Sequence, residues 1–210
     1  MKFETTRDHL GRMGIVAIPG DYDGYPIVNT LWIEGPGEVP TKSPDRFAVA
    51  CVLAFGSYCS GELDFGRKIS PATANAIRRY QAPVGVSVSA IEQYPKALPI
   101  ADGTLSIRMG GGMPDNEAAF SLQLLDTHRF AGSLRTSSSL IASSNASVLQ
   151  HLSASRGGRR DAVATAIFCL LAEELGADRA RLQSDVAAAE NPRVQELLGA
   201  VRLELIGGAA

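Results

Sequence analysis

Apolar and polar positions along the chain fall into short, distinct patterns. Met13 to Ile18 and Ile27 to Ile33 are β-branched or apolar runs separated by the turn-rich Pro19-Gly20-Asp21-Tyr22-Asp23-Gly24. They predict two strands, most simply paired as a hairpin. Phe47 to Phe55 is apolar at every position after Ser43-Pro44-Asp45. The Ser-Pro pair resembles a helix N-cap, yet an unbroken apolar run is equally a buried strand, and periodicity does not separate the two. Ser70-Pro71 is a plainer start signal: good helix formers follow and Pro83 stops the run, so a helix is predicted over 71–80.

Alternation returns after that helix. Val84, Val86 and Val88 alternate with Gly85, Ser87 and Ser89, Leu105, Ile107 and Met109 with Ser106 and Arg108, and Phe120, Leu122 and Leu124 with Ser121 and Gln123. Each set has the period of a strand, and the last two flank Gly110 to Asn116 as a long-looped hairpin would. Nine serines between Ser133 and Ser155 have a linker's composition, although Leu134, Leu140, Ile141, Val148 and Leu149 interrupt them. From Asp161 the spacing turns helical, with Val163, Ile167, Leu170 and Leu171 on one face and Gly176 at the expected C-cap. Asn191-Pro192 starts another helix, with Val194, Leu197, Leu198, Val201 and Leu205 on one face. The fold class expected is α+β, with α/β as the other arrangement. A mixed or antiparallel sheet would occupy residues 1–130, a Ser-rich connecting segment 131–158, and a helical lobe packed on the first region 159–210.

Composition narrows the function classes. The 210 residues are 45% hydrophobic and 20% charged, enough for a sizeable core. A formal charge of -2 provides no global field for nucleic acid or an acidic membrane, so either partner would need a local patch. No apolar stretch approaches the roughly 20 residues of a membrane span, and the charged first twenty residues hold no signal-peptide core, so a cytoplasmic location is expected. Cys51, Cys59 and Cys169 are odd in number and lack metal-ligand spacing, which points to reduced thiols. Sixteen Arg against four Lys, with abundant Ala, suggests a GC-rich bacterial genome.

Reactive side chains are densest in the 57–68 loop. Under an enzymatic reading Glu62 and Asp64 are acid, base or metal-ligand candidates, Cys59 a nucleophile, and Arg67 with Lys68 an anion clamp. The plainer reading is a polar surface turn whose carboxylates answer its cations. Gly110 to Gly112 after Arg108 has the flexibility of a phosphate cradle but neither the Walker nor the dinucleotide spacing. Arg156, Arg159 and Arg160 cluster ahead of a helix, where a phosphate or nucleic-acid backbone could dock. Acidic neighbours and the lack of interleaved aromatics argue against nucleic acid as the main partner. His9, His128 and His151 are scattered and read as surface groups. No cofactor or metal is indicated. The leading expectation is therefore a non-enzymatic binding or assembly subunit with a protein partner or self-association. The alternatives are a small hydrolase or transferase acting on an anionic substrate through the 57–68 loop, with Arg108 or Arg159 as charge partner, and backbone binding of nucleic acid through the arginine cluster.

Overall fold

The computed structural model describes residues 1–35, 41–110, 120–155, 161–182 and 189–207. The chain opens with three strands, β1 (Lys2–Arg7), β2 (Arg12–Ile18) and β3 (Thr30–Glu34), which form an antiparallel sheet in that order. The predicted pairing of the second and third is present, running from Arg12 opposite Glu34 to Val16 opposite Thr30. Gly14 is required there, because a Cβ at this position would collide with the Leu31 carbonyl.

Helix α1 (Pro44–Phe55) resolves the ambiguous apolar run in favour of a helix. Ser43 Oγ accepts from Arg46 N, and Pro44 occupies the first turn, where its missing N–H costs nothing. Periodicity fails because every residue from Asp45 to Phe55 is buried. A 3-10 turn (Gly56–Tyr58) leads to β4 (Glu62–Leu63), and α2 (Pro71–Tyr80) follows with Ser70 Oγ accepting from Thr73 N. β5 (Ser87–Val88) is only the end of the predicted 84–88 strand and pairs in parallel with β4.

The second sheet holds six strands: β6 (Gly103–Met109), β7 (Phe120–Leu125), β8 (Ser133–Arg135), β9 (Ser139–Ser143), β10 (Ala177–Leu182) and β11 (Glu204–Leu205). Their order is β11-β10-β6-β7-β9-β8, with β8 antiparallel to its neighbour and the other pairings parallel. The hairpin expected around Gly110 is thereby corrected. Alternation assigns faces but not direction, and Leu105 to Met109 run parallel to Phe120 to Leu124. Leu182, Ile107, Leu122 and Leu140 form one buried row across the sheet, while the neighbouring row of Arg181, Ser106, Ser121 and Ser139 faces the other way.

Helices α3 (Ala146–Ser155), α4 (Ala162–Leu171) and α5 (Pro192–Gly199) complete the described elements. The Ser133 to Ser155 stretch contributes β8, β9 and α3. Its polar groups also join the two sheets: Asn145 accepts from Trp32 N at 3.0 Å and donates to the Thr30 carbonyl at 2.7 Å, and Ser144 Oγ donates to the Trp32 carbonyl at 2.7 Å. The helical lobe expected over 159–210 holds α4 and α5 but also β10 and β11, which belong to the large sheet. Asn191 caps α5 as predicted, but the helix stops at Gly199 and Arg202 adopts φ 54, which turns the chain so that Leu205 enters β11.

α1 packs against α4 on one side and β2 on another, and α4 in turn packs on β6 and β10. All ten residues of α4 are buried, which makes it core and not site. Ile167→Ala should cost about 2–5 kcal/mol in urea unfolding, and Ile167→Asp should abolish cooperative folding by burying an unpaired charge. A wild-type melt for Ile167→Asp would remove α4 from the core.

Candidate functional site

The 57–68 loop follows a helix and not the parallel strand that would have placed it at the carboxyl edge of a sheet. Its first residues are tied to the β2–β3 loop: Gly24 N donates to the Tyr58 carbonyl at 2.8 Å and Ser60 N to Asp23 Oδ1 at 2.7 Å. Asp23 is the buried centre of this junction. It also accepts from Gly20 N at 2.8 Å and pairs with the Met1 ammonium at 2.5 Å. Burial pushes its carboxyl up, but hydrogen bonds from the Met1 ammonium, Ser60 N and Gly20 N, together with the ammonium charge, outweigh this and hold it below its ordinary value.

Around this anchor lies a hollow of about 390 Å³ bordered by Ile18, Asp21, Tyr22, Glu62 and Asp64. Glu62 is exposed; Asp64 is half-buried and its Oδ1 accepts from Gly66 N at 2.8 Å, a local turn contact. Beyond the rim the same loop presents Tyr22, Tyr25 and Ile27, which are 87%, 73% and 84% exposed. Three large side chains are thus exposed within six residues, in and just after the stretch that Asp23 ties to Gly20 and Ser60. Tyr22 is hidden from a sequence reading among the turn formers of 19–24, and Ile27 reads as the start of a strand that begins only at Thr30. The available signal is that Tyr22 and Tyr25 are flanked by Asp21, Asp23, Gly24 and Pro26, all turn formers.

The other candidates are placed apart from this hollow. Cys59 is buried, its Sγ donates to the Phe55 carbonyl at 3.4 Å, and burial pushes the thiol up to about 12. It is a protonated packing group, contrary to a nucleophile's need for thiolate. Arg67 turns to another depression beside Phe3 and Glu4, its guanidinium 5.5 Å from the Phe47 ring centroid and 3.4 Å from the Thr41 carbonyl. Lys68 lines a third cleft, near the starts of α1 and α2. Arg108 is buried on the same face of β6 as Ser106, two residues along the strand. The cluster of Arg156, Arg159 and Arg160, and most of the Gly110 to Gly112 run, lie outside the described residues. His9, His128 and His151 are all exposed.

Among the described residues no three His, Cys, Asp or Glu side chains converge closely enough to hold a metal ion, and no helix is long and apolar enough to cross a membrane. A depressed carboxyl stabilises the fold at neutral pH and loses that contribution as pH falls from the unfolded value near 3.9 through its lower folded value. Urea unfolding should therefore show wild type losing more stability between pH 6 and pH 2.5 than Asp23→Asn, which starts lower. Identical pH profiles would contradict the role given to Asp23. The chain matches no family model, no curated protein and no solved structure.

Proposed function

We propose that the protein is a non-enzymatic binding or assembly subunit that docks a basic, apolar-bearing segment of a protein partner on the β2–β3 loop and the adjoining acidic hollow. The observation that carries this reading is the group Tyr22, Tyr25 and Ile27, almost fully exposed on a backbone anchored through Asp23. Rigid tyrosines provide large contact area at low entropic cost, and such anchors carry most of the binding energy of an interface. The rim supplies the charge preference. Asp21, Glu62 and Asp64 border the hollow, while the lysine beside them, Lys2, is already paired with Glu4 at 2.8 Å. A partner carrying Arg or Lys beside Leu or Phe is complementary to both parts.

The dispersal of the 57–68 side chains supports contact over catalysis. Glu62 and Asp64 border one hollow, Arg67 another and Lys68 a third, and Cys59 is a buried thiol. A hydrolase or transferase needs these groups around one reacting atom.

A panel of synthetic peptides that varies Arg/Lys content independently of Leu/Phe content tests the reading by fluorescence anisotropy. Peptides with both should bind wild type best. Tyr22→Ala/Tyr25→Ala should weaken them at least about 30-fold, and Glu62→Gln/Asp64→Asn should flatten the salt dependence. Both variants should melt like wild type, because the changes are at exposed or amide-compatible positions. Equal binding by wild type and both variants would overturn the assignment.

A further inference from the structure

A cleft of about 560 Å³ lies on a different part of the molecule, between the starts of α1 and α2 and the 92–99 segment. Its walls hold Lys42, Lys68 and Lys96, three of the four lysines in the chain. None of these three ammonium groups is ion-paired or hydrogen-bonded among the described residues, whereas the fourth, Lys2, pairs with Glu4. Two of the three carboxylates that share the cleft accept hydrogen bonds from backbone N–H groups. Asp45 accepts from Ser70 N at 2.7 Å, and Glu92 accepts from Tyr94 N at 3.2 Å. Glu173 interacts electrostatically with the buried Arg46. The positive ends of two capped helices, at Ser43 and Ser70, face the same space.

A second observation comes from beneath the wall. Arg46 is 0% exposed, its Nη2 donates at 3.2 Å to the carbonyl of Pro99, a cleft residue, and its Nη1 has no hydrogen-bond partner. Glu173, which also lines the cleft, has a buried Oε2 without a hydrogen-bond partner. The cleft thus carries three lysines without partners among the described residues alongside three carboxylates, and the hydrogen-bonded Arg46 lies behind Pro99 with one N–H group unused.

We propose that this cleft binds a small phosphorylated ligand, its phosphate held by Lys42, Lys68 and Lys96. A monocarboxylate would leave most of that charge unmatched, whereas a phosphomonoester or pyrophosphate carries two or more charges and enough acceptor oxygens for several ammonium donors. The volume suits a small molecule. Pro95, Leu98 and Pro99 give the cleft an apolar side for the organic portion, and Tyr94, 88% exposed, stands at the margin as a stacking surface. This site uses none of the residues of the proposed protein-docking surface, and each stands or falls alone.

Isothermal titration with pyrophosphate, inorganic phosphate and citrate, on the whole chain at fixed ionic strength, tests the proposal. Pyrophosphate should bind saturably at one site per chain and more tightly than citrate. Lys68→Gln/Lys96→Gln should weaken it at least about tenfold, Lys42→Gln should weaken it measurably, and Lys2→Gln should leave it within about twofold of wild type. Circular dichroism melts report that the variants are folded, as expected for exposed lysines. The proposal is overturned if pyrophosphate shows no saturable binding, if citrate binds more tightly, or if Lys2→Gln weakens binding as much as the double variant.

Discussion

Arg46 enters the interior in the first turn of α1, and a guanidinium taken out of water must be answered by groups close at hand. Its Nε donates to the Val201 carbonyl and its Nη2 to the Pro99 carbonyl, so one side chain joins the start of α1 to two segments far away in sequence. The residue before it, Asp45, accepts from Ser70 N and so fixes the entry to α2. The remainder of α1 is apolar on every side. Burying such a helix needs partners all round it, and the chain supplies α4, β2 and α2.

Covering α1 also determines where the polar groups emerge. The 57–68 loop crosses from the end of α1 to the start of α2, and its charges leave it in different directions. Glu62 and Asp64 emerge toward the β2–β3 loop, where Asp23 locks the backbone and leaves Tyr22, Tyr25 and Ile27 to solvent. Lys68 emerges on the other side, beside the two helix starts and Lys96. The loop's charged side chains thereby border separate surfaces, one acidic and aromatic, the other rich in lysine.

Local signals made some of the architecture legible in the sequence. Ser70-Pro71 and Asn191-Pro192 mark helix starts because the cap side chain and the proline act within one turn, and both helices begin where those residues place them. The alternations of 105–109 and 120–124 are strands, but direction depends on the route of the connection, which side-chain period does not encode. Phe47 to Phe55 was ambiguous for the reason that makes it central: complete burial erases the polar face that distinguishes helix from strand. The lysine cleft was illegible because Lys42, Lys68 and Lys96 lie on separate segments brought together only by the packing of α1 and α2. Lys68 alone was a candidate, paired in sequence with an Arg67 that the fold directs elsewhere. The serine-rich stretch looked like a linker by composition, whereas Ser144 and Asn145 spend their polar groups on β3.

If α1 is the element that everything else covers, it should be the last to open. Native-state hydrogen exchange tests this directly by comparing the backbone amides of Ala48 to Phe55 with those of α4 and of the β2–β3 and 92–99 loops. The account predicts that the α1 and α4 amides exchange only through global unfolding, with opening free energies equal to that from urea denaturation, while the loop amides exchange through far smaller openings. Exchange of the α1 amides through a local opening, at rates close to those of the loops and with α4 still protected, would contradict it.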